Sequence, residues 1–270
     1  AALTVVAEDA SRLYGDANPA FTTTLTGFVN GETFFSAGVT GIATVTTGAN
    51  AARNVGNYAT VPVVGTLDAT NYTFDTFVNG TLAVTPATLT VTANAATRLY
   101  GAADPAFSGT VSGFVNGETL ASATTGTLLF TSSATVTSNV GSYALTGFDL
   151  LAKQGNYVFV QDAANVTSLS VTPAPLLATA ISEAKSYDGV AYAGGAGLTF
   201  SGFLNGDSAA SLAGTATYAG TSQGATNVGS YVLTPGGLTS PNYTISYAPG
   251  TLTVNPAVLT ATLASSDTVY

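Results

Sequence analysis

The sequence predicts a mostly β protein: a tandem array of small Ig-like or β-grasp-like β domains of about 85 residues, each with at most one short helix. One stretch, residues 80–93, recurs at 168–180 and 250–263, and its second half also opens the chain. Between these copies the chain consists of short runs of alternating polarity separated by turn residues, which is typical of strands. The motifs return at a nearly constant spacing that suits self-sufficient domains better than a solenoid.

The repeated stretch predicts two consecutive strands joined through a proline. Leu82 and Val84 point to one face of the first strand, because successive side chains alternate. After Pro86 the apolar residues are Leu89 and Val91, so the alternation shifts by one residue and the apolar set turns to the opposite face. We therefore expect the two strands to belong to different cores, one in each domain. No Gly/Ser-rich linker separates the domains, which predicts a stiff junction.

These boundaries divide the chain into repeat 1 (residues 1–86), repeat 2 (87–173) and repeat 3 (174–256), with residues 257–270 forming the first strand of a fourth. Each repeat contains the same motif residues in the same order, and we expect all of them to have structural roles. They are Tyr14, Gly15, Asn30, Gly31, Gly56, Tyr58, Tyr72 and Pro86 in repeat 1, Tyr100, Gly101, Asn116, Gly117, Gly141, Tyr143, Tyr157 and Pro173 in repeat 2, and Tyr187, Gly189, Asn205, Gly206, Gly229, Tyr231, Tyr243 and Pro256 in repeat 3.

The aromatic residues recur at matching positions, for example Phe28 and Tyr72 in repeat 1 and Phe114 and Tyr157 in repeat 2. Such rings bury much apolar area, so we predict that they fill the cores; a carbohydrate-stacking platform is the alternative. Residues 157–160 are apolar throughout, which suggests a strand covered on both faces.

Each Asn-Gly pair is compatible with two local structures. In repeat 3 it precedes residues 207–213, with Asp207 near the start and Gly214 after the end, a pattern typical of a short helix. In repeat 2, residues 118–123 have room for one helical turn or two. Asn-Gly is also the strongest short signal for a tight turn, and the sequence leaves both structures open.

The charge balance excludes several classes of function. Five basic and 14 acidic residues give a net charge of −9, and the basic residues are scattered singly. This argues against binding to nucleic acid and to anionic membrane surfaces. No apolar run reaches the ~18 residues that a membrane-spanning helix needs. We expect a segment of a longer exported polypeptide.

No catalytic residue, metal site or cofactor is predicted. The absence of His and Cys excludes Ser-His and Cys-His nucleophiles and a disulfide scaffold. The acids that recur, such as Asp16 and Asp104, are single in their loops, and the adjacent pair Glu8-Asp9 has no counterpart in the other repeats. A glycosidase needs two facing carboxylates and calcium needs several oxygen ligands, and no single loop supplies either set.

One charged pattern does recur, with a base two residues before the motif tyrosine and an acid after the Asn-Gly pair. We hypothesise that the two charges of each repeat form a salt bridge that holds the first strand against the Asn-Gly element; two solvated charges are the alternative. The predicted pairs are Arg12 with Glu32, Arg98 with Glu118, and Lys185 with Asp207.

The ordered motifs resemble those of MBG-type domains, the tandem repeats of large bacterial surface adhesins, including filamentous haemagglutinin-like proteins. Tyr14-Gly15 and Tyr100-Gly101 are similar to the YGX type, and Tyr187-Asp188-Gly189 is similar to the YDG type. The resemblance covers the whole chain. It implies a protein outside the cell or on the bacterial cell surface, and it implies no catalytic residue, metal or cofactor.

Three functions are compatible with this resemblance. The first is a stalk or filament segment whose partners are the neighbouring repeats of the same chain, like filaments, and a host or substratum surface, with no nucleic acid and no membrane insertion. The second is a glycan- or protein-binding module that uses the loops of each repeat, with the insertion at residues 150–154 as the best contact loop. The third is a fibre subunit that polymerises by adding residues 258–270 as a strand to a neighbour's sheet.

Overall fold

The computed structural model describes residues 1–263 and confirms the predicted mostly β fold with three tandem repeats. The strands of repeat 1 are β1 (Ala2–Ala7), β2 (Ala10–Leu13), β3 (Thr23–Thr26), β4 (Thr44–Thr47), β5 (Gly56–Val63), β6 (Thr73–Val78) and β7 (Gly80–Thr85). Repeat 2 contains β8 (Ala87–Ala93), β9 (Ala96–Leu99), β10 (Gly109–Ser112), α1 (Leu120–Ala123), β11 (Thr124–Ser132), β12 (Gly141–Tyr143), β13 (Leu145–Ala152), β14 (Tyr157–Gln161) and β15 (Leu169–Thr172), with 3-10 turns at Lys153–Gly155 and Ala163–Thr167. Repeat 3 contains β16 (Ala174–Ala180), β17 (Glu183–Ser186), β18 (Leu198–Ser201), β19 (Ala213–Ala219), β20 (Gly229–Thr239), β21 (Tyr243–Ala248) and β22 (Gly250–Asn255), with a 3-10 turn at Ala209–Ser211.

Each repeat has one sheet built around its first strand and another built around its last strand. In the first sheet of repeat 1, β1 pairs antiparallel with β3 and parallel with β6. In the second sheet, β7 lies between β2, which is parallel to it, and β5, which is antiparallel. Repeats 2 and 3 have the same arrangement around β8 and β15 and around β16 and β22. Repeat 2 also has a two-stranded sheet formed by β11 and β13.

The predicted passage of one repeat into the next through a proline is confirmed. Strand β7 ends at Thr85, Pro86 lies outside both strands, and β8 begins at Ala87. Pro173 separates β15 from β16 in the same way. A proline lacks the N–H that a continuing ladder needs, so one sheet ends there and the next begins.

The prediction of separate cores on the two sides of Pro86 is wrong. Leu82, Val84 and Leu89 are buried in one cluster, which therefore contains the last strand of repeat 1 and the first strand of repeat 2. Two sheets that face each other across a core present opposite faces to it. A strand that passes from one sheet to the other must therefore change its alternation by one residue. The shift in the sequence is the signature of this shared, sandwich-like core.

The compact units of the chain consequently differ from the repeats. Unit 1 consists of Ala1–Asn94, Phe107–Thr131 and Leu145–Val166, and unit 2 contains Ala95–Ala106, Ser132–Ala144 and the chain from Thr167 onward. The first sheet of repeat 2 thus belongs to unit 1 and its second sheet to unit 2. Repeat 2 is therefore divided between the two units, contrary to the expectation that each repeat folds around its own core.

Each unit contains a smaller core besides the shared one. In unit 1, Leu3, Val39 and Tyr72 form a cluster within repeat 1, with Phe28 packed against it. In unit 2, the shared core contains Val171, Ala174 and Leu176. A smaller cluster there is made by Ala225, Leu252 and Val254 of repeat 3, with Tyr231 packed against it. The prediction that recurring aromatic residues fill the cores is confirmed for Phe28, Tyr72, Phe114 and Tyr157.

Both structures predicted for the Asn-Gly segment occur, one after the other. The asparagines Asn30, Asn116 and Asn205 have φ of 54–55° and the glycines that follow them are also in the left-handed region, so each pair forms a tight turn. A Thr or Ser two residues later then caps a short helical turn: Thr119 accepts a hydrogen bond from the Ser122 N–H at the start of α1. Ser208 has the same role before the 3-10 turn of repeat 3.

Two expectations about strands differ from the structure. The first, that residues 157–160 are covered on both faces, is wrong; the second, a strand at residues 257–270, is tested only up to residue 263. Strand β14 is covered on one face only, because Val158 and Val160 remain 47% and 42% exposed. Residues 257–263, predicted to begin the first strand of a fourth repeat, form no strand, and Val258 is 93% exposed. In the other repeats this strand is held by partners that come later in the same repeat. The rest of the predicted strand, residues 264–270, lies outside the described residues.

Within residues 1–263, none of the helices has the length and hydrophobicity needed to cross a lipid bilayer.

Candidate functional site at the joints between repeats

The repeated motifs meet where the second sheet of one repeat packs against the first sheet of the next. We call each such contact a joint. The first joint lies within unit 1 and connects repeats 1 and 2, and the second lies within unit 2 and connects repeats 2 and 3. The tyrosines, glycines and asparagines of the shared motifs come together at these joints.

An asparagine bridges the two sides of the first joint. Asn156 precedes β14 and is only 4% exposed. Its side-chain Oδ1 accepts the Val55 N–H at 3.0 Å, and its Nδ2 donates to Oδ1 of Asn54 at 3.0 Å. Its backbone carbonyl accepts the N–H of Ala87, the first residue of β8, at 3.0 Å. The side chain of this repeat 2 residue thereby satisfies polar groups of repeat 1, while its backbone carbonyl holds it to β8 of its own repeat, and together these bonds fix the spacing of the two repeats.

The second joint has the same bridge. Asn242 precedes β21, accepts the Val140 N–H at 3.0 Å and donates to Oδ1 of Asn139 at 2.9 Å. Its carbonyl accepts the N–H of Ala174 at 3.0 Å. The hydroxyl of Tyr143 donates to the backbone carbonyl of Asn139 at 2.7 Å, which holds that asparagine in place. The Asn-Val-Gly-x-Tyr motif therefore presents an amide and an N–H to the Asn-Tyr motif of the following repeat.

A pair of tyrosines packs edge to face in each joint. Tyr14, which follows β2, lies with its ring centroid 5.4 Å from that of Tyr157 at an interplanar angle of 84°. Tyr100 and Tyr243 form the corresponding pair at 5.4 Å and 82°. All four residues are about 4% exposed. This geometry stabilises such pairs by about 0.5–1.5 kcal/mol beyond the area that they bury.

The glycine after the first tyrosine is required by the close approach of the next repeat. Gly15 has φ of +92°, and a Cβ at this position would lie 2.4 Å from Cγ2 of Val115. Gly101 has φ of +76°, and its Cβ would lie 2.7 Å from Cδ1 of Leu204. Any larger residue would be strained by the backbone conformation and would also collide with the neighbouring repeat.

The acid that follows each Asn-Gly turn binds a tyrosine and not the predicted base. The Tyr157 hydroxyl donates to Glu118 and accepts the Val115 N–H at 3.1 Å. Tyr243 donates to Oδ2 of Asp207 at 2.7 Å, and Tyr100 donates to the same oxygen at 3.0 Å. The corresponding bond in repeat 1 joins Tyr72 to Glu32.

The bases predicted to form those salt bridges have other partners. Buried Arg12 donates from Nε to Oδ1 of Asn18 at 2.8 Å and from Nη2 to the Asn50 carbonyl. Arg98 forms an ion pair with Asp104, with 2.6 Å between Nε and Oδ1, and Lys185 pairs with Asp188 at 2.8 Å. The Asn-Gly turn directs its acid toward the tyrosine that lies just before β6 or at the start of β14 or β21. Each base instead bonds to other groups of its own repeat.

Burial, together with the hydrogen bond to Glu118, raises the pKa of Tyr157 from 10.0 to about 12. The folded state then retains a proton that the unfolded chain loses, so this contribution to stability is complete below pH 10 and is lost as the pH rises towards 12. Replacing Tyr157 with Phe is expected to cost about 1–3 kcal/mol at neutral pH, because the Glu118 carboxylate and the Val115 N–H lose their partner. It should also reduce the loss of stability above pH 10.

Urea unfolding of wild type and Tyr157→Phe at neutral pH and at several values between pH 10 and 12, with tyrosinate absorbance followed in parallel, checks this prediction. Tyr187→Phe is the matched control, since Tyr187 is 45% exposed and should alter neither the stability nor the pH profile. An alkaline profile of Tyr157→Phe identical to that of wild type would contradict the role of this hydroxyl.

The asparagines that bridge the joints were not among the predicted site residues. The sequence does contain a signal for them. Two asparagine motifs, one represented by Asn54 and the other by Asn156, recur in every repeat without any accompanying catalytic residue. The insertion at residues 150–154 contains Leu151, which is 72% exposed, but its Lys153 donates from Nζ to the carbonyls of Ala121 and Ser122 at 2.9 and 3.0 Å. That lysine stabilises the end of α1.

Other kinds of site are few in the part of the chain that is described. Residues 1–263 contain no group of three or more His, Cys, Asp or Glu side chains that could hold a metal ion. A cleft of about 530 Å³ lies within repeat 1, lined by residues that include Leu25, Phe28, Phe34, Ile42 and Glu32.

Comparisons with known proteins agree with the repeat motifs. The model of the MBG domain (YGX type) matches residues 3–83, 89–167 and 176–253. The YGX-type model thus matches repeat 3 as well, for which Tyr187-Asp188-Gly189 had suggested the YDG type. No curated protein matches the sequence significantly. A solved structure described as a cell surface adhesin from Lactobacillus reuteri is 24% identical to this chain, with a TM-score of 0.22; the match covers 32% of this chain and 99% of the adhesin chain.

Proposed function

Because the chain belongs to the family of MBG domains of the YGX type, we propose that it is a structural segment of an exported bacterial adhesin. In this role it forms part of a stalk or filament outside the cell that spaces and displays adhesive regions. Its partners are the neighbouring repeats of the same chain, like filaments, and a host or substratum surface. Neither catalysis nor a cofactor is part of this function.

The joints are the observation that supports this proposal. A spacer must keep consecutive repeats in a constant relative arrangement, and this requires specific contacts between them. In the first joint, buried Asn156 forms hydrogen bonds to Asn54 and Val55 across the contact, beside the Tyr14–Tyr157 pair. The cluster that contains Leu82 and Leu89 makes the connection a packed core. Rotation about Pro86 would expose this core to water.

A stiff joint predicts one narrow distance between labels placed on the two repeats. The chain has no cysteine, so Ala59→Cys in β5 and Thr110→Cys in β10 would be unique attachment sites for spin labels, and both positions are exposed. We expect pulsed electron spin resonance to give a single narrow distance distribution. Asn156→Ala is expected to broaden it, because the bridge between the repeats is removed.

Asn94→Ala is the matched control for that experiment. Asn94 donates to Oγ of Ser108 at 2.9 Å within repeat 2 and takes no part in the joint, so its removal should leave the distribution narrow. A broad distribution in the labelled wild type would mean that the repeats move independently, and the stalk function would fail.

A binding module is the second candidate function, and the cleft in repeat 1 favours it. The cleft is largely apolar, and Ile42 at its edge is 73% exposed. Its combination of aromatic residues with the carboxylate of Glu32 is a common composition of ligand sites. A glycan array probed with the labelled chain separates the two functions, because a spacer gives no specific signal and a binding module does.

A further inference from the structure

The cleft in repeat 1 has an apolar rim that the corresponding places of repeats 2 and 3 lack. Ile42 lines the cleft and is 73% exposed, and Phe35, next to the lining residue Phe34, is 89% exposed. The rings of Phe34 and Phe35 pack edge to face with 5.5 Å between their centroids. The residues that take the places of Phe35 and Ile42 are Ala121 and Thr127 in repeat 2 and Ala210 and Thr215 in repeat 3.

Two features shared by the repeats fix this alignment. A hydrogen-bonded pair of hydroxyl residues precedes the variable segment, and it is formed by Thr33 and Ser36, by Thr119 and Ser122, and by Ser208 and Ser211. A glycine whose Cβ would collide with a backbone carbonyl oxygen follows this segment, and these glycines are Gly41, Gly126 and Gly214. Phe35 lies two residues after the first hydroxyl residue, and Ile42 lies directly after the glycine.

A smaller side chain leaves the interior of the cleft open. In repeat 2, Phe130 lies four residues after Gly126 and packs on Gly109, where a Cβ would lie 2.3 Å from Cζ of the ring. The corresponding residues of repeat 1 are Val45 and Thr23. Val45 has no ring to fill the same space, and a cleft of about 530 Å³ remains.

A preceding repeat would leave this place accessible. Repeat 2 packs against repeat 1 through the first joint, and its residues at the corresponding positions, Thr110, Ala121 and Thr127, are nevertheless exposed. Ala210 and Thr215 of repeat 3 are exposed in the same way beside the second joint. The openness of the cleft is therefore a property of repeat 1 itself.

One wall of the cleft is the edge strand β3, which pairs only with β1 among residues 1–263. The Glu8 N–H donates to the Thr22 carbonyl at 3.0 Å, and hydrogen-bonded pairs alternate with non-bonded pairs along an antiparallel ladder. The N–H and carbonyl groups of Thr23 and Leu25 therefore point away from β1. Both residues line the cleft, so these backbone groups are available to an added strand.

The side chains of the cleft favour an apolar ligand with a positive charge. Thr24, Thr33 and Glu32 already form hydrogen bonds within repeat 1, which leaves few side chains to bind the hydroxyl groups of a glycan. Glu32 supplies the one charged group among the lining residues of the described chain. Its carboxylate attracts a cation and repels an anion.

From these observations we propose that the cleft binds an extended segment of another polypeptide, which adds to β3 as a further strand. Its backbone pairs with Thr23 and Leu25, and every second side chain is apolar and enters the cleft. Phe35 and Ile42 contact these apolar side chains at the rim, and a Lys or Arg of the segment reaches Glu32. The inference rests on the binding module, the second candidate function, and is independent of the stalk function.

An array of short peptides of randomised sequence, probed with the labelled chain, tests the proposal. We expect the bound peptides to have apolar residues at every second position and a Lys or Arg. The double variant Phe35→Ala, Ile42→Thr carries the residues of repeat 2 at two exposed positions, and it should bind the selected peptide about tenfold more weakly. Leu151→Ala is the matched control, since Leu151 is 72% exposed and does not line the cleft; its affinity should equal that of wild type.

Glu32→Gln tests the charge, because glutamine still accepts the Tyr72 hydroxyl. We expect this variant to bind a basic peptide about two- to fivefold more weakly than wild type. Added salt should weaken the binding to wild type and have little effect on the variant, since salt screens the attraction that only wild type has. Equal affinities and equal salt dependence would refute the role of Glu32 in selecting a cation.

Methylation of the peptide backbone distinguishes strand addition from simple apolar contact. N-methyl groups on the amides that face β3 remove the donors and should abolish binding, whereas N-methyl groups on the intervening amides should leave it intact. Equal tolerance of both patterns would overturn the proposal. So would an array without bound peptides, a specific glycan signal in place of peptide binding, which would keep the binding module but change its ligand, or sedimentation with phosphatidylcholine vesicles, which would assign the rim to a lipid surface.

Discussion

Replacing Leu89 with alanine is expected to destabilise repeat 1 as well as repeat 2, at a cost of about 2–5 kcal/mol for the unit that contains it. Leu89 belongs to repeat 2 by sequence, but its side chain is completely buried against Leu82 and Val84 of repeat 1. The substitution leaves a cavity between the two sheets. Both sheets lose packing contacts, so both should open more often.

Hydrogen exchange identifies the strands that the substitution destabilises. In Leu89→Ala we expect faster exchange of backbone amides in β7 of repeat 1 and in β8 of repeat 2. Leu3→Ala is the matched control, because Leu3 is equally buried but lies in the smaller cluster within repeat 1. It should have a similar cost, with the largest change in β1 and β6. If Leu89→Ala altered exchange in repeat 2 alone, the shared core would be refuted.

The sequence was sufficient to predict the strands on both sides of each proline. Alternation of Leu82 with Val84 and of Leu89 with Val91 follows directly from the geometry of a strand. It was not sufficient to assign those strands to a core. A shift of one residue is equally compatible with two separate cores and with two sheets that face one another. Only the three-dimensional path of the chain after Pro86 distinguishes the two arrangements.

The candidate site was predicted only in part: its tyrosines and glycines are among the predicted structural residues, but the bridging asparagines and the contacts between residues were not predicted. Of the motif residues, Tyr14, Gly15 and Tyr157 all lie in the first joint. The predicted pairing of Arg12 with Glu32 failed because opposite charge was the only criterion available. The Asn-Gly turn directs Glu32 to the hydroxyl of Tyr72, and no charge count reveals the direction in which a turn points.

Replacing Gly15 with alanine is expected to cost about 2–4 kcal/mol, which combines two effects. The first is the left-handed backbone, with φ of +92°, which any residue with a Cβ adopts only under strain. The second is the collision of that Cβ with Val115 of repeat 2, at 2.4 Å from Cγ2 and 2.6 Å from Cβ. The side chain of Val115 is branched at the point of contact, so it cannot move aside without shifting its own backbone.

Repeat 3 allows these two effects to be separated within the same chain. Gly189 lies two residues after the motif tyrosine of repeat 3, with Asp188 between them; it has φ of +73° and nothing within 4 Å of the position that a Cβ would take. Gly189→Ala therefore reports the backbone strain alone, at about 1–2 kcal/mol. The excess cost of Gly15→Ala in urea unfolding measures how tightly repeat 2 is held against repeat 1. Equal costs for the two substitutions would mean that repeat 2 shifts to accommodate the extra methyl group at almost no cost in free energy. Such a joint would not keep two repeats in a fixed arrangement.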